Sequence, residues 1–221
     1  MKKAIFLVSL MAATYTLSAQ SVKFGIRGGL NLATVDRGSI PEGNETNNLA
    51  AFNGGLFANI RLGNWAVEPG LFYSLKGFKA NYETTRNVNG GSTENVSFGG
   101  TIKYNYLELP VNILYNVKLT PGKVFFGGGP YAGYLMSANA KSTSTVGGVK
   151  QPDQTFNYTI GNNVDDLKRM DYGVNILAGF AFNNGFQLSA GYGYGLTNIA
   201  PGQNDNKIKN RVFNVSVGYS L

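Results

Sequence analysis

The feature that most constrains this chain is a side-chain alternation that recurs from residue 22 to the last residue. It is clearest at the end, over residues 211–221, where Phe213, Val215, Val217, Tyr219 and Leu221 alternate with Val212, Asn214, Ser216, Gly218 and Ser220. A period of two is that of a β-strand, whose successive side chains point to opposite faces. One face here is apolar and the other small or polar. A tilted strand of about 9–11 residues crosses the hydrocarbon layer of a bilayer, so this stretch is long enough to do so and is expected to close a sheet.

Seven earlier segments read the same way. Residues 22–34 put Phe24, Ile26, Leu30 and Leu32 on one face and Lys23, Gly25, Arg27, Gly29 and Asn31 on the other. Residues 51–62 carry Phe52, Leu56, Ala58, Ile60 and Leu62 against Asn53, Gly55, Asn59 and Arg61, and 65–80 carry Trp65, Val67, Leu71, Tyr73 and Leu75 against Glu68, Gly70, Ser74 and Lys76. Residues 101–117 alternate Leu107, Leu109, Val111, Ile113, Tyr115 and Val117 with Tyr106, Glu108, Asn112 and Asn116. Residues 170–182 set Tyr172, Val174, Ile176, Ala178, Phe180 and Phe182 against Asp171, Gly173, Asn175 and Gly179, and 186–196 set Phe186, Leu188, Ala190, Tyr192 and Tyr194 against Gln187, Ser189, Gly191, Gly193 and Gly195. Residues 124–138 form a strand whose faces the run Gly127-Gly128-Gly129-Pro130 leaves unassigned.

Connections alternate in length. Gly63-Asn64, Thr120-Pro121-Gly122 and Asn183-Asn184-Gly185 are tight turns, whereas 35–50, 81–100, 141–168 and 197–210 are long and polar. All the long loops therefore lie at one end of an even-stranded, up-and-down antiparallel sheet. That asymmetry is the one found in transmembrane barrels, with short periplasmic turns and long extracellular loops. The expected fold is all-β, an eight-stranded antiparallel barrel.

Aromatic residues collect at both ends of the strands. Phe24, Trp65, Tyr115, Phe180, Phe182, Phe186 and Tyr219 fall near the short turns, and Tyr73, Tyr172, Tyr192, Tyr194 and Phe213 near the long loops, as two interfacial girdles would require. Pro69, Pro110 and Pro130 fall inside three consecutive strands and each removes a ladder donor, so a bulge or local gap is expected at each.

The first residues read differently. Lys2 and Lys3 precede the apolar run 4–13, and Ser18-Ala19 precede Gln20, the pattern of a secretory signal peptide at 1–19 followed by a barrel at 20–221. No Cys follows, so a lipid-anchored form, disulfides and thiolate chemistry are excluded. Mean hydropathy is near neutral, as expected of a barrel whose wet inner face dilutes its greasy outer one. The formal charge is +7, with basic residues scattered rather than clustered. Anionic lipid headgroups suit that distribution, and no nucleic-acid partner is expected.

This phasing points Arg27, Arg61, Glu68, Lys76, Glu108 and Asp171 into the barrel. Eight strands enclose a bore that side chains can fill, and a buried charge must be paired or wet. The expectation is a charge network that plugs the interior, with Glu108 and Asp171 as counter-ions to Arg27 and Arg61. The inward glycines Gly25, Gly29, Gly55, Gly191, Gly193 and Gly195 are expected to make room for long opposing arms.

Catalysis is not expected. With no His, Ser-His-Asp chemistry and His-ligated metals are impossible. Glu108 with Asp171 could be a glycosidase-type carboxylate pair, and Ser74 with Lys76 a nucleophile and base, but the counter-ion reading accounts for these residues more simply. Gly127 to Gly133 precedes no helix and is no phosphate loop. Asp165-Asp166 beside Asn162-Asn163 reads as a solvated loop in preference to a Ca²⁺ site. No catalytic residue, metal or cofactor is assigned.

Several segments resemble a known family. Tyr106-Leu107-Glu108-Leu109-Pro110 is similar to its fourth strand, and Gly129-Pro130-Tyr131-Ala132-Gly133-Tyr134-Leu135 and Asp171-Tyr172-Gly173 to its fifth and sixth. Tyr192-Gly193-Tyr194-Gly195-Leu196-Thr197-Asn198-Ile199 is similar to the seventh and the Tyr219 terminus to the eighth. The family is the outer-membrane β-barrel domain described as "porin family protein", which includes PorT-like barrels. The resemblance implies the outer membrane of a Gram-negative bacterium, insertion by the barrel assembly machinery, outer-membrane lipid as surroundings, and a monomer. Such barrels more often end in Phe, where this chain has Leu221. The family carries no catalytic residues to transfer, and three roles are compatible with it: a structural or surface-interaction part of the envelope, a small-solute porin, or an accessory barrel of a protein secretion system.

Overall fold

A computed structural model of the chain describes residues 21–37, 45–88, 92–161, 163, 166–202 and 207–221. The signal peptide expected at 1–19 lies outside the described residues. Eight long strands form the body: β1 Ser21–Asp36, β2 Leu49–Leu62, β3 Trp65–Val88, β4 Ser92–Leu119, β5 Gly122–Val146, β6 Met170–Phe182, β7 Phe186–Gly195 and β8 Lys209–Ser220. Each pairs antiparallel with its neighbours in sequence, and β1 pairs with β8, as in Leu30 opposite Val215, so the sheet closes on itself. Closure leaves no open edge, which a sheet in lipid requires because no water is there to satisfy free N–H and C=O groups.

The alternation sets the faces. In β6, Ile176 is 65% exposed and Asp171 is 0% exposed. Phe24, Ile26, Leu30, Leu56, Leu109, Ile113, Val215 and Val217 all point outward, and Arg27, Asn31, Glu68, Ser74, Lys76, Asn112 and Ser216 are buried inside. The faces of β5, unassigned from sequence, are now clear. Phe125, Tyr131 and Leu135 are buried inward, and Phe126, Tyr134 and Met136 are exposed. A bulge in the β4–β5 ladder shifts the register between Asn105 and Tyr106 and leaves Met136 without an opposite partner. A bulged residue of this kind flips the alternation that follows it.

The three prolines act as gaps. Paired residues skip 58–59 opposite 68–69 in the β2–β3 ladder, 70–71 opposite 109–110 in β3–β4, and 111–112 opposite 129–130 in β4–β5. Register is unchanged across each gap. One missing donor per strand thus interrupts one ladder each, stepping across three neighbours, and no bulge forms at a proline.

Two of the long connections expected from sequence are corrected. Residues 81–88 pair with 92–99, and β5 continues to Val146, so most of 81–100 and the start of 141–168 are strand. The short strands Glu45–Asn47 and Gln154–Asn157 add to β3 and β5 respectively. Beyond Ala80 and Gly100 the β3–β4 hairpin runs on for roughly 26 Å at about 3.3 Å per residue. These residues read as loop because the alternation ends where lipid ends. Thr84, Thr85, Val96, Thr143 and Thr145 still suit a strand, since β-branched residues pack well on a pleated sheet.

The glycine expectation is also refined. At Gly25 the space a Cβ would need is taken by the Phe57 ring at 2.3 Å, and at Gly173 by the Tyr131 ring at 2.5 Å, so inward aromatic rings occupy room expected for charged arms. At Gly129 a Cβ would stand 1.9 Å from the carbonyl oxygen of Val111 on the neighbouring strand. Around the short-turn end, Trp65, Tyr115 and Phe126 touch in series, as do Phe180, Phe182 and Phe186, with ring centroids 4.8–6.4 Å apart.

Two substitutions follow from this geometry. Val174→Arg places a charge on the lipid face and is expected to cost about 2–4 kcal/mol near the midplane, read from urea unfolding in lipid vesicles. Gly129→Ala is expected to impair folding, whereas Gly28→Ala, whose Cβ would find its nearest atom at 3.7 Å, leaves the heat-modifiable gel shift of the barrel unchanged.

Candidate functional site

The six charges expected inside the barrel divide into two groups and one outlier. Near the short-turn end, Arg27 on β1 donates to Glu68 Oε1 on β3 at 2.9 Å and to Gln187 Oε1 on β7 at 3.3 Å. Its guanidinium lies 4.5 Å from the Phe57 ring centre on β2, and Asn59 donates to the other oxygen of Glu68 at 3.1 Å. Four strands are thereby tied across the bore. Above them Asn31 donates to Ser74 Oγ at 3.3 Å and to the Leu75 carbonyl at 3.0 Å.

The second group centres on Lys76 of β3. Its ammonium forms ion pairs with Glu108 of β4 and with Asp171 of β6, the latter at 3.2 Å, and stands 4.4 Å from the Tyr131 ring of β5 and 5.0 Å from that of Tyr106. Asp171 Oδ2 also accepts from Tyr131 Oη at 3.2 Å and from Asn210 Nδ2 of β8 at 2.9 Å, and Asn210 Nδ2 reaches Tyr106 Oη at 3.3 Å. Ring faces carry negative charge density that attracts an ammonium. One cation therefore holds two carboxylates with aromatic support on both sides.

This corrects the expected pairing. Glu108 and Asp171 are counter-ions of Lys76; Arg27 takes Glu68, and Arg61 forms no ion pair among the described residues. Charge type and face were readable from the sequence, but partner choice depends on stagger between strands far apart in the chain. Tyr106 was legible as inward. The sequence does not single out Tyr131 or Asn210: Asn210 falls at the end of the polar connection 197–210, although its parity with Val212, Asn214 and Ser216 points it inward. Ser74 and Lys76 do not form a nucleophile–base pair, since Ser74 accepts from Asn31 and Lys76 is committed to carboxylates.

An apolar cluster lies at the extracellular end. Val35, Phe78, Tyr104, Tyr106, Leu135 and Ala138 pack with Leu167 and Ile199. Leu167 and Ile199 come from the connections before β6 and after β7, and Lys168 N–H donates to the Ile199 carbonyl at 3.2 Å, tying the two together over the mouth. At the rim, Arg211 pairs with Asp36 at 2.9 Å and lies 3.6 Å from the Tyr194 ring centre. Of the candidate Ca²⁺ loop, Asn162 and Asp165 fall outside the described residues. Asp166 accepts from the Asn163 N–H at 3.1 Å within its own turn.

Below the cap a cavity of about 100 Å³ is lined by Asn31, Ser74, Lys76, Glu108 and Asn112, room for a few waters. A separate cavity of about 330 Å³ opens at the short-turn end among Lys23, Arg61, Lys118 and Lys123. Outside the membrane, Asp153 lies 2.8 Å from the Lys141 ammonium and 3.6 Å from that of Lys150. The hydrogen bond from Lys141 holds the Asp153 carboxyl below the usual carboxylate range.

The model of the outer membrane protein beta-barrel domain family matches residues 18–200 of this ring of strands. The chain belongs to that family. It is an outer-membrane β-barrel. No curated relative matches it. Among solved structures it is similar to Ail, the attachment invasion locus protein of Yersinia pestis, solved with the heparin analogue sucrose octasulfate. Identity is 14% and the TM-score 0.37, over 91% of this chain and 98% of that one. Neisserial surface protein A is 13% identical with a TM-score of 0.36, over 92% of this chain and 100% of that one. The NanC porin is 10% identical with a TM-score of 0.28, over 90% of this chain and 100% of that one.

The Lys76 group gives a direct test. Removing one partner of a buried ion pair costs about 3–5 kcal/mol because the other charge is stranded. Lys76→Met is expected to lose that much in urea unfolding of the outer-membrane barrel in lipid vesicles. Adding Glu108→Gln and Asp171→Asn to Lys76→Met is expected to restore much of it.

Proposed function

We propose that this outer-membrane barrel is a closed, monomeric anchor in outer-membrane lipid, holding the extracellular extension of β3, β4 and β5 as an interaction surface. The observation that supports this reading is a bore crossed by polar groups, with a cavity of about 100 Å³ between them, beneath a projecting sheet. The bore is crossed by the Arg27–Glu68 and Lys76–Glu108–Asp171 groups and lidded by Leu167 and Ile199. The projection, by contrast, exposes Tyr82 and Phe98, stacked at 6.4 Å, with Phe156 on its edge strand Gln154–Asn157 and Tyr158 just after it. Aromatic residues on an exposed sheet are suited to binding, because they offer large contact area with few rotamers to order.

A non-catalytic role agrees with the chemistry of the buried groups. Lys76 is engaged by two carboxylates and is not free to act as a base, and Glu108 and Asp171 share that one partner. Assistance from the barrel assembly machinery during insertion, and a part in protein secretion, remain readings of the family resemblance.

Small-solute passage is the alternative of a different class, and planar-bilayer conductance separates the two. The purified barrel is expected to give no steady conductance; a stable open level that survives purification would replace the closed-anchor reading with a porin. Replacing residues 82–98 with Asn-Gly is expected to leave the barrel folded and heat-modifiable, because Asn81 already lies opposite Gly99 and a two-residue turn can join them. Loss of folding would show that the projection is part of the barrel's own core.

A further inference from the structure

The short-turn mouth gathers cations, whereas the layers above it pair theirs, Arg27 with Glu68 and Lys76 with Glu108 and Asp171. Lys23 on β1, Arg61 on β2, Lys118 at the end of β4 and Lys123 at the start of β5 line one cavity of about 330 Å³, together with the amides Asn59, Asn183 and Gln187. Among the described residues no Asp or Glu side chain lines it. None of the four cations forms an ion pair among the described residues, whereas Arg27 and Lys76, the cations deeper in the bore, both do. Lys123 lies in the repulsive field of both Arg61 and Lys23, and the one carboxylate acting on it, Glu68, is buried and already committed to Arg27 and Asn59.

Holding like charges together without a counter-ion is unfavourable unless an anion joins them, and low-dielectric walls around a charged cleft strengthen its field. Arg61 supplies a planar fork and the lysines supply point charges, the combination used for phosphate oxygens. The Arg27–Glu68–Gln187 layer crosses the bore above this cavity, which lies at the periplasmic end. Phe182 and Leu119 at its rim are exposed toward lipid, which puts the cavity beside the inner-leaflet headgroups as well as the periplasmic solution.

We infer that the periplasmic mouth of this barrel is a binding site for a multivalent phosphate-type oxyanion, centred on Arg61 and Lys123 with Lys23 and Lys118 beside them. The oxyanion belongs either to a soluble phosphate compound or to a phospholipid headgroup. The site needs neither an open lumen nor the extracellular projection, so a conducting barrel would leave it standing.

The test uses the whole folded barrel in a maltoside detergent, which contributes no phosphate, at low salt. Pyrophosphate is titrated by calorimetry in one arm. In the other, short-chain phosphatidylglycerol is compared with phosphatidylcholine by chemical shifts near the mouth. Arg61→Gln and Lys123→Gln are the site variants, and Lys103→Gln, on the exposed extracellular side, is the control; heat-modifiability confirms that each is folded. Saturable binding of pyrophosphate or phosphatidylglycerol, weakened tenfold or more in each site variant and unchanged in the control, supports the site. Which arm responds identifies a soluble or a headgroup source. Absence of binding in both arms, or equal binding by the site variants and the control, overturns the proposal.

Discussion

Backbone hydrogen bonding in lipid is the constraint on which this structure depends. No water inside the bilayer can satisfy an unpaired N–H or C=O, so the sheet has to meet itself, and it does so where β1 pairs with β8 from Gly25 opposite Ser220 to Asp36 opposite Lys209. Once the ring closes on eight strands, the bore is too narrow to stay empty and too wet in composition to pack as an oil-like core. Everything inside follows from that pair of limits. Polar and charged side chains reach across to partners on other strands, and aromatic rings fill the space left by glycines.

The interior is therefore layered. Arg27 with Glu68, Asn31 with Ser74, and Lys76 with Glu108 and Asp171 stack up the bore, and an apolar layer built on Tyr104, Phe78 and Leu135 lies above them. Each polar layer joins strands distant in the chain, so the layers fix the shape of a ring that backbone pairing alone would leave pliable. The apolar lid owes its position to two connections, which bring Leu167 and Ile199 inward over the mouth. At the opposite end no such cluster forms among the described residues, and the cations there line a cavity.

Much of this was legible in the sequence because period-two alternation reports which medium each face meets. Val174, Ile176 and Phe213 announce lipid, and Arg27, Glu68 and Asp171 announce the bore, without knowledge of any contact. Where lipid ends the signal ends too, which is why the paired stretches beyond Ala80 and Gly100 read as loops although Thr84, Thr85 and Val96 favour strands. The Gly127–Pro130 run hid the faces of β5 for a related reason, since glycines carry no side chain to mark a face. Charge pairing was beyond sequence reasoning: Lys76 meets Asp171 only because the stagger of β3 against β6 brings them level, and no local pattern encodes a stagger. The family resemblance in Tyr106–Pro110 and in the later strands pointed to the same ring.

The central claim is that the alternating apolar residues meet lipid while their neighbours meet one another inside. Spin labels placed singly at each position from 172 to 181 on β6, with the barrel reconstituted in lipid vesicles, test it most directly through collision rates with dissolved oxygen. The account predicts maxima at Tyr172, Val174, Ile176, Ala178 and Phe180 and minima at Gly173, Asn175, Leu177, Gly179 and Ala181. A reversed pattern, or rates with no period of two, would contradict it.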